Sequence, residues 1–81
     1  MQGKKVYLLS YSRLSNGIQL CCFVKDVYAD KDDAIRALYQ DYETYMENYT
    51  TKGKYDEDNM QWHCEYGDND VTEWLTEKEV K

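Results

Sequence analysis

The sequence predicts an α+β fold: a four-stranded antiparallel sheet with one helix on one face, in the order ββαββ. Three observations predict it. Asn16-Gly17 lies between two apolar runs and supplies the positive φ angles of a two-residue hairpin turn. Between 35 and 49 the residues Ile35, Leu38, Tyr42, Tyr45 and Tyr49 recur at steps of 3, 4, 3 and 4, which is one face of a helix. "MQWHCEY" (60–66) alternates, with Met60, Trp62, Cys64 and Tyr66 on one side and Gln61, His63 and Glu65 on the other.

"KKVYLLSYS" (4–12) reads as the first strand, rich in β-branched and aromatic residues and free of breakers. "RLSNG" (13–17) is the turn. "IQLCCFVKDVY" (18–28) is the second strand, and both of its faces are apolar, which predicts a central position covered on both sides. The helix spans 29–49. Asp30 is its N-cap, and Asp32 and Asp33 sit in the first turn, where the helix dipole favours negative charge. "TTKGK" (50–54) ends the helix, and "YDEDN" (55–59) is a polar loop. After the third strand and a "GDND" turn, "VTEWLTEKEV" (71–80) is the last strand, with Val71 and Leu75 on one face and Trp74 on the other. Its charged end suits an edge or a frayed tail.

Eighty-one residues make one domain, 1–81, with room for a single small core. Aromatic residues are 15% of the chain, which argues against disorder. No apolar run reaches the length of a membrane span, and no signal peptide is read after Met1. Three cysteines, two of them adjacent, do not make a disulfide framework and suit a reducing cytoplasm. The net charge is −6 and unevenly spread: residues 1–36 hold six bases against four acids, and residues 56–79 hold nine acids against one base. Direct nucleic-acid binding, which needs clustered Lys and Arg, is therefore not expected.

The chemistry-bearing residues do not assemble into a catalytic signature. Cys21, Cys22, His63 and Cys64 fall as adjacent pairs that split across strand faces, short of the four ligands of a zinc site. No carboxylate lies in an apolar run that would raise its pKa. "DEDN" (56–59) and "DND" (68–70) lack the spacing of a calcium loop. Gly3, Gly17, Gly53 and Gly67 are isolated turn glycines, not a phosphate loop. No metal and no cofactor is expected, and the chain is not expected to be an enzyme.

Two surface features carry the functional expectation. Asp56, Glu57, Asp58, Asp68, Asp70, Glu73 and Glu77 would form an acidic surface that steers association with a basic partner. Tyr45, Tyr49 and Trp74 would be aromatic anchors, since Tyr and Trp dominate interface hot spots. A helix can cover only one of the two apolar sheet faces, so one face lacks a cover within the chain. A homodimer pairing sheet to sheet is the simplest way to cover it.

The hairpin, the helix start at "DKDDA" (Asp30 to Ala34) and the charged closing strand from Glu73 to Val80 resemble a recurring type of small phage and bacterial protein. Proteins similar in size and acidity include anti-CRISPR and anti-restriction inhibitors. The resemblance implies binding to a host protein without catalysis and carries no functional residue over. The expected function is a non-enzymatic protein-binding module: a phage-type inhibitor, acting as a nucleic-acid mimic in the cytoplasm, that docks an acidic surface on a basic nucleic-acid-handling host protein. The alternative is a small homodimeric structural or assembly domain.

Overall fold

The structure, a computed structural model, describes residues 4–80, so Gly3 lies outside it. The elements are β1 (Lys4–Ser15), β2 (Ile18–Tyr28), α1 (Lys31–Asn48), β3 (Lys52–Asp56), β4 (Gln61–Tyr66) and β5 (Asn69–Val80). They form one antiparallel sheet in the order β2-β1-β5-β4-β3, with α1 on one face. The sheet has five strands, not the four predicted. The additional strand, β3, falls where the sequence reads as a helix end and a loop. Its residues, Lys-Gly-Lys-Tyr-Asp, have little intrinsic β preference. Pairing with β4 makes the strand, with Gly53 opposite Cys64 and Tyr55 opposite Trp62.

The order also reverses a positional expectation: β2, apolar on both faces and expected to be central, is an edge strand. β5, whose charged end suits an edge or a frayed tail, lies between β1 and β4 over its first half only. Its pairing with β4 covers only Asn69–Trp74, whereas its pairing with β1 continues to Val80. Glu77, Lys78 and Glu79 therefore occupy a stretch with β1 alone beside it, where charge is tolerated as on an edge.

Local chemistry sets the turns and the helix start. Asn16 and Gly17 take φ values of 53° and 79°, the left-handed pair a tight hairpin requires. Asp30 caps α1, its Oδ1 accepting from the backbone N–H groups of Asp32 (2.8 Å) and Asp33 (3.2 Å). Alternation along the strands then sorts the side chains. Tyr7 and Leu9 of β1, Trp62 and Cys64 of β4 and Val71 and Leu75 of β5 meet Ala34 and Leu38 of the helix in the buried core. The tyrosine stripe packs against this core. Tyr42 and Tyr45 stack on Trp62 at centroid distances of 5.9 and 5.2 Å, and Tyr45 and Tyr49 reach Tyr66. The molecule is elongated, 49 × 23 × 18 Å, because β1, β2 and β5 are long and the helix spans only part of the sheet.

Candidate functional site

The side of the sheet away from α1 has no covering element among the described residues. Registers place its residues in rows. Val24, Ser10, Trp74 and Gln61 lie side by side across β2, β1, β5 and β4. Val27, Leu8 and Thr76 form the next row, and Cys22, Ser12, Thr72 and His63 the row on the other side. Val24 and Val27 are 51% and 52% exposed. Ser10 and Ser12 are buried, being small groups between larger neighbours. The β1–β2 half of this face therefore holds an apolar patch of Leu8, Val24 and Val27 around the buried Ser10, with Trp74 at its inner border. The β4 half is polar, with Gln61, His63 and Glu65. Apolar patches of this kind mark contact surfaces.

The structure divides the predicted acids rather than gathering them. Asp56, Glu57 and Asp58 lie at the β3–β4 turn, and Asp68 lies at the β4–β5 turn, at the opposite end of β4. Those turns are about 20 Å apart along a six-residue strand. Asp56 is engaged locally: its carboxylate accepts from the Asn59 side chain (2.7 Å) and backbone (3.2 Å), which holds its pKa below the usual range. Asp70 lies opposite Glu65 and pairs with His63 Nε2 at 3.3 Å. Glu77 accepts from the Tyr7 hydroxyl and faces Lys5.

Glu73 is the correction among the acids. It faces the helix, not solvent, and is fully buried. Its cross-strand neighbours are Tyr11 and Trp62. Lys25 Nζ donates to Asp41 Oδ2 at 2.7 Å and to Glu73 Oε2 at 3.3 Å, which makes a cluster of two carboxyls and one ammonium between β2, α1 and β5. Burial, then the hydrogen bond and charge of Asp41, push the Glu73 carboxyl up to about 8, against the expectation that no carboxyl is so raised. Burial works against the Lys25 charge, but Asp41 and Glu73 outweigh it and its pKa is raised. Glu73 Oε1 and the indole Nε1 of Trp62, an acceptor and a donor on cross-strand neighbours, are both buried without a hydrogen-bond partner. The sequence did contain a signal for this: Val71, Glu73 and Leu75 share one strand face, so the glutamate belongs to an apolar row.

The three aromatic candidates part company as well. Tyr45 is a half-buried core residue whose hydroxyl lies 3.1 Å from that of Tyr11, and burial together with this contact raises its pKa. Tyr49, 57% exposed, stacks on Tyr45 and Tyr66 on the helix side. Trp74 stands on the opposite side of the sheet, across from Ser10. Of the three, Trp74 alone belongs to the uncovered face.

Other chemistry is sparse among the described residues. Burial pushes the Cys64 thiol up to about 11, so it is not a ready nucleophile. His63, Glu65 and Asp70 bring one donor atom each to within 4.8 Å of one another on the polar half of the open face. Sequence spacing missed this group because Asp70 reaches it across strands. It offers three donors where a structural zinc site uses four. A cleft of about 290 Å³ between α1 and the β3–β4 turn is lined by Ile35, Tyr39, Tyr55, Glu57 and Met60, with one carboxylate and no base–nucleophile pair. No helix among the described residues is long and apolar enough to cross a membrane.

Comparison of the chain with protein-family models, with curated proteins and with solved structures found no match.

Proposed function

We propose that the chain is a protein-binding module rather than an enzyme, and that its contact surface is the uncovered face of the sheet. The single observation that carries this reading is the apolar patch on that face, where exposed Val24 and Val27 stand beside half-buried Leu8 and Trp74 with no covering element among the described residues. Glu65 and Asp70 lie on the same face two rows further along, towards the β4–β5 turn that holds Asp68, and supply negative charge beside the patch. An apolar centre with a charged rim is the anatomy of a protein interface, in which a buried tryptophan supplies affinity and the rim supplies steering. The partner of best fit is a protein with a basic surface. For a −6 chain of the phage-inhibitor kind, that means a nucleic-acid-handling protein of the host cytoplasm.

The test is a pull-down from bacterial lysate at low and high salt, with the wild type, Trp74→Arg, and a Glu65→Lys/Asp68→Lys/Asp70→Lys variant, each checked for folding by circular dichroism. The expected result is a captured basic protein that is lost with Trp74→Arg and weakened by the charge reversals, most visibly at low salt. Capture unchanged by all these substitutions would sink the reading.

A further inference from the structure

The two edges of the sheet are built differently. β3, at one edge, is five residues long and carries Lys52, Gly53 and Lys54, and short edge strands bearing lysine resist pairing with another chain. β2, at the other edge, runs for 11 residues without proline. Its one lysine, Lys25, is the extra residue of a bulge and is engaged by Asp41 and Glu73, so no free lysine guards that edge among the described residues. The strand is also bare on both faces. Ile18 and Phe23 are 67% and 50% exposed on the helix side, where α1 does not reach over them, and Leu20, Val24 and Val27 are similarly exposed.

We infer that β2 is a pairing edge and that its occupant is the β2 of a second copy of this chain, giving a two-fold dimer with a continuous ten-stranded sheet. A body packed on the open face would cover Val24 and Val27 and leave Ile18 and Phe23 in water. An added antiparallel strand flanks both faces at once, because its own side chains alternate. The second copy supplies a strand of matching character, apolar on each face and with its lysine already engaged. Charge favours the same arrangement. The acid-rich β3–β4 turns of the two copies lie about 30 Å or more apart, several screening lengths, when β2 meets β2. The pairing stretch is bounded. A second bulge skips Leu20, the register is regular over Cys21–Val24, and the Asp26 side chain already accepts from the N–H of Val27. A two-fold axis normal to the sheet sets like-sided residues opposite each other, Phe23 beside Phe23 or Cys21, and both helices on one side.

The experiment is sedimentation velocity from about 1 to about 100 µM, the range over which a micromolar dimer dissociates, joined to hydrogen exchange of the full chain. The variants are Phe23→Lys, Val24→Lys and Trp74→Arg, each matched to the wild type by circular dichroism. The expected result is a dimer whose β2 amides gain protection with concentration. Phe23→Lys and Val24→Lys should dissociate it, and Trp74→Arg should leave it intact. Three results overturn the inference: a monomer throughout, which leaves β2 to an extended segment of another protein; a dimer lost with Trp74→Arg but not with Phe23→Lys, which places the contact on the open face; and open-ended growth, which requires β3 as a second pairing edge.

Discussion

Glu73 sits beneath the helix between Tyr11 and Trp62, and its carboxyl is pushed up to about 8 from an ordinary 4.5. Two carboxyls share one ammonium there, so the cluster is relieved when Glu73 holds a proton and Lys25 pairs with Asp41. The sign for stability follows from linkage. The folded pKa lies above the unfolded one, so the native state binds the extra proton between them. Stability is therefore greatest below about 4.5, as far as this group is concerned, and falls as pH rises towards 8. Glu73→Gln keeps the shape and removes the titration. We expect the melting temperature of the wild type to decline from pH 5 to pH 8 more steeply than that of Glu73→Gln, measured by thermal denaturation in a pH series. Parallel curves would show that the buried carboxyl is not the titrating group. In the sequence Glu73 is one of nine acids between 56 and 79. Charge counting placed it on the surface, and only its strand register shows that it belongs inside.

At the scale of the element, the helix and the first hairpin were legible because their signals are local. Asp30 as N-cap, Asn16-Gly17 as turn and the spacing of Leu38, Tyr42 and Tyr45 each depend on neighbours within a few residues. β3 was not legible, because what makes it a strand is β4. Gly53 explains both the misreading and the packing. It reads as a helix stop, yet it stands opposite Cys64 with Met46 of the helix against it. A Cβ added there would lie 2.5 Å from Met46 Sδ and 3.3 Å from both Cys64 Cβ and the His63 carbonyl oxygen. The thioether can swing aside for one methyl, but a branched side chain also meets the backbone of β4. Gly53→Val should destabilise the fold by about 1–3 kcal/mol in urea denaturation, and Gly53→Ala by less. Adding Met46→Ala should recover part of that loss, giving a double-mutant coupling that distant sites do not show. Strict additivity would mean that the helix does not press on β3 at this point.

At the scale of the whole molecule, strand order was the part that sequence reasoning missed. Apolar character on both faces marks β2 as central, but the order depends on which partners the chain brings back from far along its length, and β2 stands at an edge. The same topology sets the overall charge balance. Among the described residues, few ion pairs stand against the repulsion that a net charge of −6 brings. Lys5–Glu77 and Arg36–Asp33 are exposed and of a kind that contributes little, and Lys25 is committed to Asp41 and the buried Glu73. Self-repulsion among the acids should therefore weigh more on stability than surface attraction does, and screening should relieve it. Raising salt from about 10 to about 150 mM, across which the screening length shortens about threefold to fourfold, should raise the melting temperature by a few degrees, as about 0.5 kcal/mol would in a domain of this size. Glu57 and Asp58 lie exposed at the β3–β4 turn with no ion-pair partner within the described residues. Converting both to lysine raises the net charge from −6 by two for each substitution without disturbing the core. That variant should melt higher than the wild type at low salt and respond less to added salt. A melting temperature that instead falls as salt is added would mean that the Lys25–Asp41–Glu73 cluster and the surface pairs outweigh the repulsion, and that the uneven charge is held in place by attraction.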